Sequence, residues 1–198
     1  AMELVLNVDD TGSSGVMKIF AKTLSDLAEG EMLQLQKAQS GDTSEDDYLK
    51  IIYSKTASLF EAACVSAAIS VDASEEYVRA AREYAVALGL AFQIQDDILD
   101  YSGTEAVGKP LGADILEQKI TMPLLGALTN VSEERAKEVR SMVRNIADRP
   151  EYRDEIVAFV KDNGRLEYAV ARLKGYVESA IRALDVLPDS YEKECLER

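Results

Sequence analysis

Charge disappears from the chain between Tyr84 and Ala91 (YAVALGLA) and returns as acid at Asp96, Asp97 and Asp100. A helix that is apolar or small on every side belongs inside a bundle. The pattern predicts that this helix starts at Asp72 or Ser74 and ends near Tyr101. Before it lies a second apolar helix, 45–70, whose only charges between Ile51 and Val71 are Lys55 and Glu61. Thr43 or Ser44 can cap its start, with acids in the first turn. Further upstream the pattern predicts a helical segment over 1–8, a turn over 9–15 (DDTGSSG) and a long helix over about 16–38. Phe20, Leu24, Leu27, Glu31 and Gln34 follow one face of that helix, and Gly30 allows a close helix contact or a kink. Residues 40–47 read as a loop.

After the acids, residues 102–111 carry Gly103, Gly108 and Pro110 and read as a mostly polar lid over a site. A helix over about 119–128 has Pro123 near its start. Helices over about 132–148, 151–162 and 165–187 complete the pattern. Ile156, Phe159 and Val160, then Leu166, Ala169, Val170 and Leu173, recur at amphipathic spacing and mark surface helices. Strand-period alternation, repeats and low-complexity tracts are missing from the sequence. The reading is an all-α chain forming one helical domain over 1–198.

Composition agrees with helix: Ala, Leu and Glu are abundant, while Gly (11) and Pro (4) are few among 198 residues. The formal charge of −14 argues against nucleic acid or an anionic membrane as partner. Most of the acid excess lies in residues 1–131. Between Arg82 and Arg135 the only basic residues are Lys109 and Lys119, which makes both conspicuous. The absence of His excludes His-ligated zinc and iron, the Glu-x-x-His di-iron bundles, and Ser–His or Cys–His catalysis. Cys64 and Cys195 have no metal or redox spacing, and Cys64 reads as a small core residue. A reducing, cytoplasmic compartment fits, and no run reaches the length and apolarity of a transmembrane segment.

On a helix, Asp96 and Asp100 share one face, Asp97 lies about 100° around the axis, and Gln93 sits one turn back. Acids at a helix C-terminus oppose its dipole and repel one another. A solvated helix end is the plain reading. The sharper one is a hard cation held by all-oxygen ligands, with Mg²⁺ the usual choice beside phosphates. Lys109 and Lys119 can be ordinary surface lysines or anion ligands. Lys55, in an apolar helix, needs an anionic partner. Glu61 is poorly placed for it, and a phosphate, with the Thr56 hydroxyl as a further donor, suits it better. Gln93 is either a satisfied core amide or a donor to the same anion. Carboxylates for Mg²⁺, lysines and neutral donors together suit a diphosphate.

Here the chain resembles the all-trans polyprenyl diphosphate synthases. FQIQDDILD is similar to their second aspartate-rich motif, and GKPLGADILEQKITMPLL to the segment after it. YLKIIYSKTASLF resembles their Lys-Thr helix and GEMLQL the helix before that. The four occur in the family's order and span essentially the whole chain. The resemblance implies a helical bundle of the isoprenoid synthase type. It assigns Asp96, Asp97 and Asp100 to Mg²⁺, with Asp96 as the direct ligand. It assigns Lys55, Thr56, Gln93, Lys109 and Lys119 to the allylic diphosphate, the three lysines drawing off the leaving group. The implied reaction is condensation with isopentenyl diphosphate, and the implied assembly is a homodimer.

One departure is large. The family's first DDxxD motif and the basic residues that bind isopentenyl diphosphate are absent. Asp9-Asp10 is followed by Thr-Gly and is not that motif. The chain therefore reads as the C-terminal portion of a synthase, an incomplete bundle expected to bind Mg²⁺–diphosphate without turnover. The alternatives are a non-catalytic partner subunit of a heteromeric synthase, against which the intact lysines and acids weigh, and a terpene cyclase, against which the Lys-Thr pair and GKPLGAD weigh.

Overall fold

The computed structural model describes residues 11–102, 111–163 and 166–198. The expected helix over 1–8, the Asp9-Asp10 pair, and Gly103, Gly108, Lys109 and Pro110 of the expected lid lie outside the described residues. Those described form helices and turns, with no strand among them. The helices are α1 (Thr11–Ser40), α2 (Glu45–Ile52), α3 (Ser58–Ser70), α4 (Glu75–Ser102), α5 (Ala113–Leu116), α6 (Met122–Leu128), α7 (Glu133–Arg144), α8 (Tyr152–Asp162), α9 (Leu166–Ala183) and α10 (Tyr191–Glu197). The all-α expectation holds. No described helix is long and apolar enough to cross a membrane.

Several boundaries differ from the sequence reading for identifiable reasons. The turn expected over 9–15 is helical from Thr11 onward. The predicted helix over 45–70 is broken by a π turn, Tyr53–Ala57, between α2 and α3. Residues 119–121 are not helical. Gln118 takes a left-handed φ of 60°, and α6 begins at Met122 with Pro123 in its first turn, where the missing N–H costs nothing. Helix α7 stops at Arg144, short of residue 148, and α10 was not foreseen. Ser132 and Ser190 cap α7 and α10 by accepting the N–H of Arg135 and Lys193.

The chain divides into two compact units. One takes in described residues 11–30, 52–91 and 175–198. In its core, Tyr84 and Ala87 pack with Ala180, Ala183 and Leu184, and Cys64, Leu88 and Leu187 close over them. Cys64 is thus the small apolar packer expected, and burial raises its thiol pKa. The Tyr84 hydroxyl donates to the Leu196 carbonyl at 3.0 Å, tying α10 down. The face expected on α1 is not the covered one. Phe20 and Leu24 are exposed, while Thr23 and Gly30 are buried. A helix pressed closely against its neighbours turns its smallest residues inward.

The other unit takes in residues 31–51 and the described part of 92–174. Helices α5, α6 and α7 each pack on α8. Every residue of α6 is buried, as are Val139, Val143, Ile156 and Val160 at the centre of this core. Glu45 at the start of α2 is held from α9, by the Tyr168 hydroxyl and by Arg172 at 2.5 Å. The Arg140 guanidinium donates to the carbonyls of Gly41 and Thr43 at 3.0 and 3.1 Å, satisfying the loop before α2.

Ser44 is the N-cap of α2, one of the two expected. Its hydroxyl accepts the Asp47 N–H, and Asp47 in return accepts the Ser44 N–H at 3.0 Å and the hydroxyl at 2.6 Å. These bonds, followed by Lys37 at 2.9 Å, hold the Asp47 carboxyl down at about 2. A depressed folded pKa contributes stability that is complete above the unfolded value and is lost as pH falls through the folded one. Asp47→Asn is therefore expected to cost about 1 kcal/mol at pH 7. The difference from wild type should shrink between about pH 4 and pH 2. Urea melts at the two ends of that range check this, and an undiminished difference at pH 2 would contradict it.

Candidate functional site

Helix α4 places Gln93, Asp96, Asp97 and Asp100 on its last turns, as their spacing requires. The three acids then part company. Asp97 points inward and is 2% exposed. Its carboxylate accepts the Tyr48 hydroxyl of α2 at 2.5 Å and the Gln93 amide at 3.1 Å. Burial drives its pKa up to about 7, opposed by the Tyr48 and Gln93 hydrogen bonds and reinforced by the charges of Asp114 and Asp96.

Asp100 is half-buried and faces residues 112–114. Its two oxygens accept the N–H groups of Ala113 and Asp114 at 3.0 and 3.2 Å, and its carbonyl accepts the N–H of Gly112 at 2.9 Å. Gly112 makes this return possible. Its φ is +70°, and an added Cβ would lie 2.9 Å from the Arg153 side chain. Burial and the neighbouring Asp114 charge raise the Asp100 pKa, against those two N–H donors. Asp96 is half-buried on the remaining side of the helix.

Lys119 reaches the same turn. Its ammonium contacts Asp114 at 3.1 Å and Glu117 at 2.6 Å. Burial pulls its pKa down, but the two carboxylates outweigh burial and the net shift is upward, so it stays charged. Asp100, Asp114 and Lys119 thus form a connected run of polar groups. Asp114 was missed in the sequence. Its place between the two isolated lysines was the available signal. Tyr48 was also missed, and no local pattern could have shown a partner 49 positions away.

Lys55 and Thr56 belong to the other unit. They sit half-buried within the π turn. Glu61 is taken by the Tyr53 hydroxyl at 2.7 Å and by Arg82 at 2.8 Å. Lys109 lies outside the described residues.

The donor set bears on Mg²⁺ directly. Four carboxylates, Asp96, Asp97, Asp100 and Asp114, influence one another, and a hard cation would relieve their repulsion. Among the described residues, however, no three acids converge as ligands to one ion. Asp97 is turned into the core, and Asp100 accepts backbone N–H groups. Mg²⁺ is commonly held by one or two carboxylates with waters and substrate phosphates completing its shell, and Asp96 suits that mode.

Tyr48→Phe is expected to cost about 1–2 kcal/mol by leaving the Asp97 carboxylate short of a donor. The lost hydrogen bond was lowering the Asp97 pKa, so its removal raises that pKa further. For a carboxyl raised on folding, stability is greatest below the unfolded pKa and falls as pH rises through the folded one. The penalty should accordingly be larger at pH 8 than at pH 5, as read from urea melts at both. An equal penalty would show that the hydroxyl does not serve the ionised carboxylate.

Comparison with known proteins places the chain. The family model for polyprenyl synthetase matches residues 1–160. An octaprenyl diphosphate synthase of Haemophilus influenzae is 39% identical over 197 residues, covering 99% of this chain and 59% of that protein. A protein named heptaprenyl diphosphate synthase component 2, from Geobacillus stearothermophilus, is 33% identical over 180 residues, with 90% and 55% coverage. The crystal structure of a polyprenyl synthase from Caulobacter crescentus, complexed with calcium and isoprenyl diphosphate, superposes with a TM-score of 0.85 at 34% identity. That match covers 98% of this chain and 59% of that one. The chain belongs to the polyprenyl synthetase family, with its all-α isoprenoid synthase fold. It spans 55–59% of the length of these relatives.

Proposed function

We propose that this chain carries the part of a trans-polyprenyl diphosphate synthase that binds the allylic diphosphate with Mg²⁺. The observation that carries the reading is the turn where α4 ends, at which an acidic cluster meets the charged Lys119. A half-buried lysine kept cationic beside half-shielded carboxylates is an arrangement for an anion that arrives with its own cation. The Caulobacter relative, complexed with calcium and isoprenyl diphosphate, supports that class of ligand.

Asp96 is the proposed metal ligand, and Mg²⁺ bound there would neutralise diphosphate oxygens. Asp97 holds α4 against Tyr48 and orients Gln93. Asp100 fixes the segment bearing Asp114 and Lys119. Lys119, with Lys55, Thr56, Gln93 and Lys109 by resemblance, stabilises charge on the departing diphosphate. In the complete enzyme the allylic C–O bond breaks, a C–C bond forms to isopentenyl diphosphate, and a proton is lost to the departed diphosphate. Homodimerisation and a cytoplasmic location belong to the same reading. The chain has only one DDxxD sequence, so alone it is expected to bind and not to turn over.

A two-component enzyme, with this chain one of two subunits, is the second reading. It is favoured by the relative named as a component 2. Calorimetry with inorganic diphosphate and Mg²⁺, beside isopentenyl diphosphate incorporation from farnesyl diphosphate, separates the outcomes. Mg²⁺-dependent binding without incorporation is expected. Failure to bind would refute the diphosphate role, and incorporation by the lone chain would refute its incompleteness.

A further inference from the structure

The π turn Tyr53–Ala57 is an unusual local structure with an unusual amount of support. A π turn forfeits regular helical hydrogen bonding and persists where its surroundings enforce it. Two glycines do so. Gly30 of α1 meets the turn from one side. A Cβ on Gly30 would lie 2.6 Å from the Ser54 Cβ, 3.0 Å from the Lys55 Cγ and 3.4 Å from the Lys55 N. Gly89 of α4 meets its far end, where a Cβ would lie 2.6 Å from the Ala57 Cα. The start of the turn is pinned separately, since the Tyr53 hydroxyl bonds to Glu61 and Arg82 anchors Glu61.

Gly30 therefore touches the residue whose side chain matters most in this turn. The Lys55 Cγ could swing aside from a new methyl group, but Ser54 Cβ and the Lys55 backbone are fixed to the helix and cannot. We propose that Gly30 is a positioning residue for Lys55. By having no side chain, it lets α1 press on the π turn and sets where the Lys55 ammonium leaves its helix to meet a diphosphate. This rests on the diphosphate reading above. It also explains why Gly30 occupies a buried helix-interior position where alanine would be the better helix former. Ser54 is the nearest obstacle to a methyl group at position 30, so Ser54→Gly should accommodate that methyl.

Five chains test this: wild type, Gly30→Ala, Gly30→Ala with Ser54→Gly, Lys55→Ala, and Gly30→Ala in the Lys55→Ala background. Amide resonances of Tyr53–Ala57 report the turn, and calorimetry with Mg²⁺ and inorganic diphosphate reports binding. Gly30→Ala is expected to shift the Ser54 and Lys55 resonances and to weaken binding about tenfold. Ser54→Gly should reverse both effects. In the Lys55→Ala background, Gly30→Ala should weaken binding no further, since a residue acting through Lys55 has nothing left to act on. Equal loss in both backgrounds, or wild-type binding by Gly30→Ala, would overturn the proposal. If wild type binds no diphosphate, the functional reading falls and takes the ligand of Lys55 with it. The amide shifts and their rescue would still show whether Gly30 sets the turn.

Discussion

Asp96→Ala is expected to weaken Mg²⁺-dependent diphosphate binding by about 10²–10³-fold, the range typical for losing one preorganised electrostatic contact. The three aspartates of DDILD are not equivalent in their surroundings, so their replacements should read differently. Asp97 is buried and bonded to Tyr48 and Gln93, so its removal breaks a core contact. Asp100 holds the N–H groups of Ala113 and Asp114, so its removal frees the segment carrying Lys119. Asp96 is half-buried, and neither the Tyr48 contact nor the Ala113 and Asp114 amides are held by it. Its replacement leaves those bonds in place, so binding should fall by far more than the urea midpoint does. Asp96→Asn, which keeps shape and loses charge, should bind almost as poorly. Binding by Asp96→Ala at wild-type strength would remove this residue from the metal site and shift the proposal to Asp114.

Gly89→Ala should be the most damaging change to the fold of the unit containing α3 and the upper part of α4. The added methyl would sit 2.6 Å from the Ala57 Cα and 2.8 Å from its Cβ, with the Phe60 ring at 3.3 Å. Backbone cannot rotate away as a side-chain tip can, so one helix must move bodily. Ala57 is fully buried and closes the π turn, which leaves no room on its other side. The expected cost is about 3 kcal/mol, the upper end of overpacking penalties, reduced slightly by alanine's better helix propensity. Ala57→Gly should recover part of the loss by removing the Cβ, though not the Cα, from the collision. A Gly89→Ala chain with an unchanged urea midpoint would show that α3 and α4 are less tightly apposed than the structure has them.

The two substitutions probe different kinds of information. Asp96 was legible in the sequence because its chemistry is local: three acids after an apolar helix demand an explanation wherever they lie. Lys119 was legible for the same reason, as one of two isolated cations in an acidic stretch. The Lys55-Thr56 pair stood out only because it broke an apolar run. Gly89, by contrast, was one small residue among several in YAVALGLA, and nothing nearby marked it. What makes it critical is Ala57, on another helix.

The apolar periodicity by itself determined that the chain is helical and gave the approximate course of all the longer helices. Those are properties of residues three and four apart, which the sequence displays directly. The motifs, by resemblance, also determined the family. Tertiary structure decided the rest. It alone turned Asp97 toward Tyr48, opposed Asp100 to the Ala113 and Asp114 amides, coupled Asp114 to Lys119 and inserted a π turn at Lys55. It alone covered Thr23 and Gly30 of α1 while leaving Phe20 and Leu24 exposed. All but the Asp114–Lys119 pair, which is five residues apart, depend on which surface arrives from elsewhere in the chain. Burial then assigns different pKa values and different work to side chains that are chemically identical in the sequence.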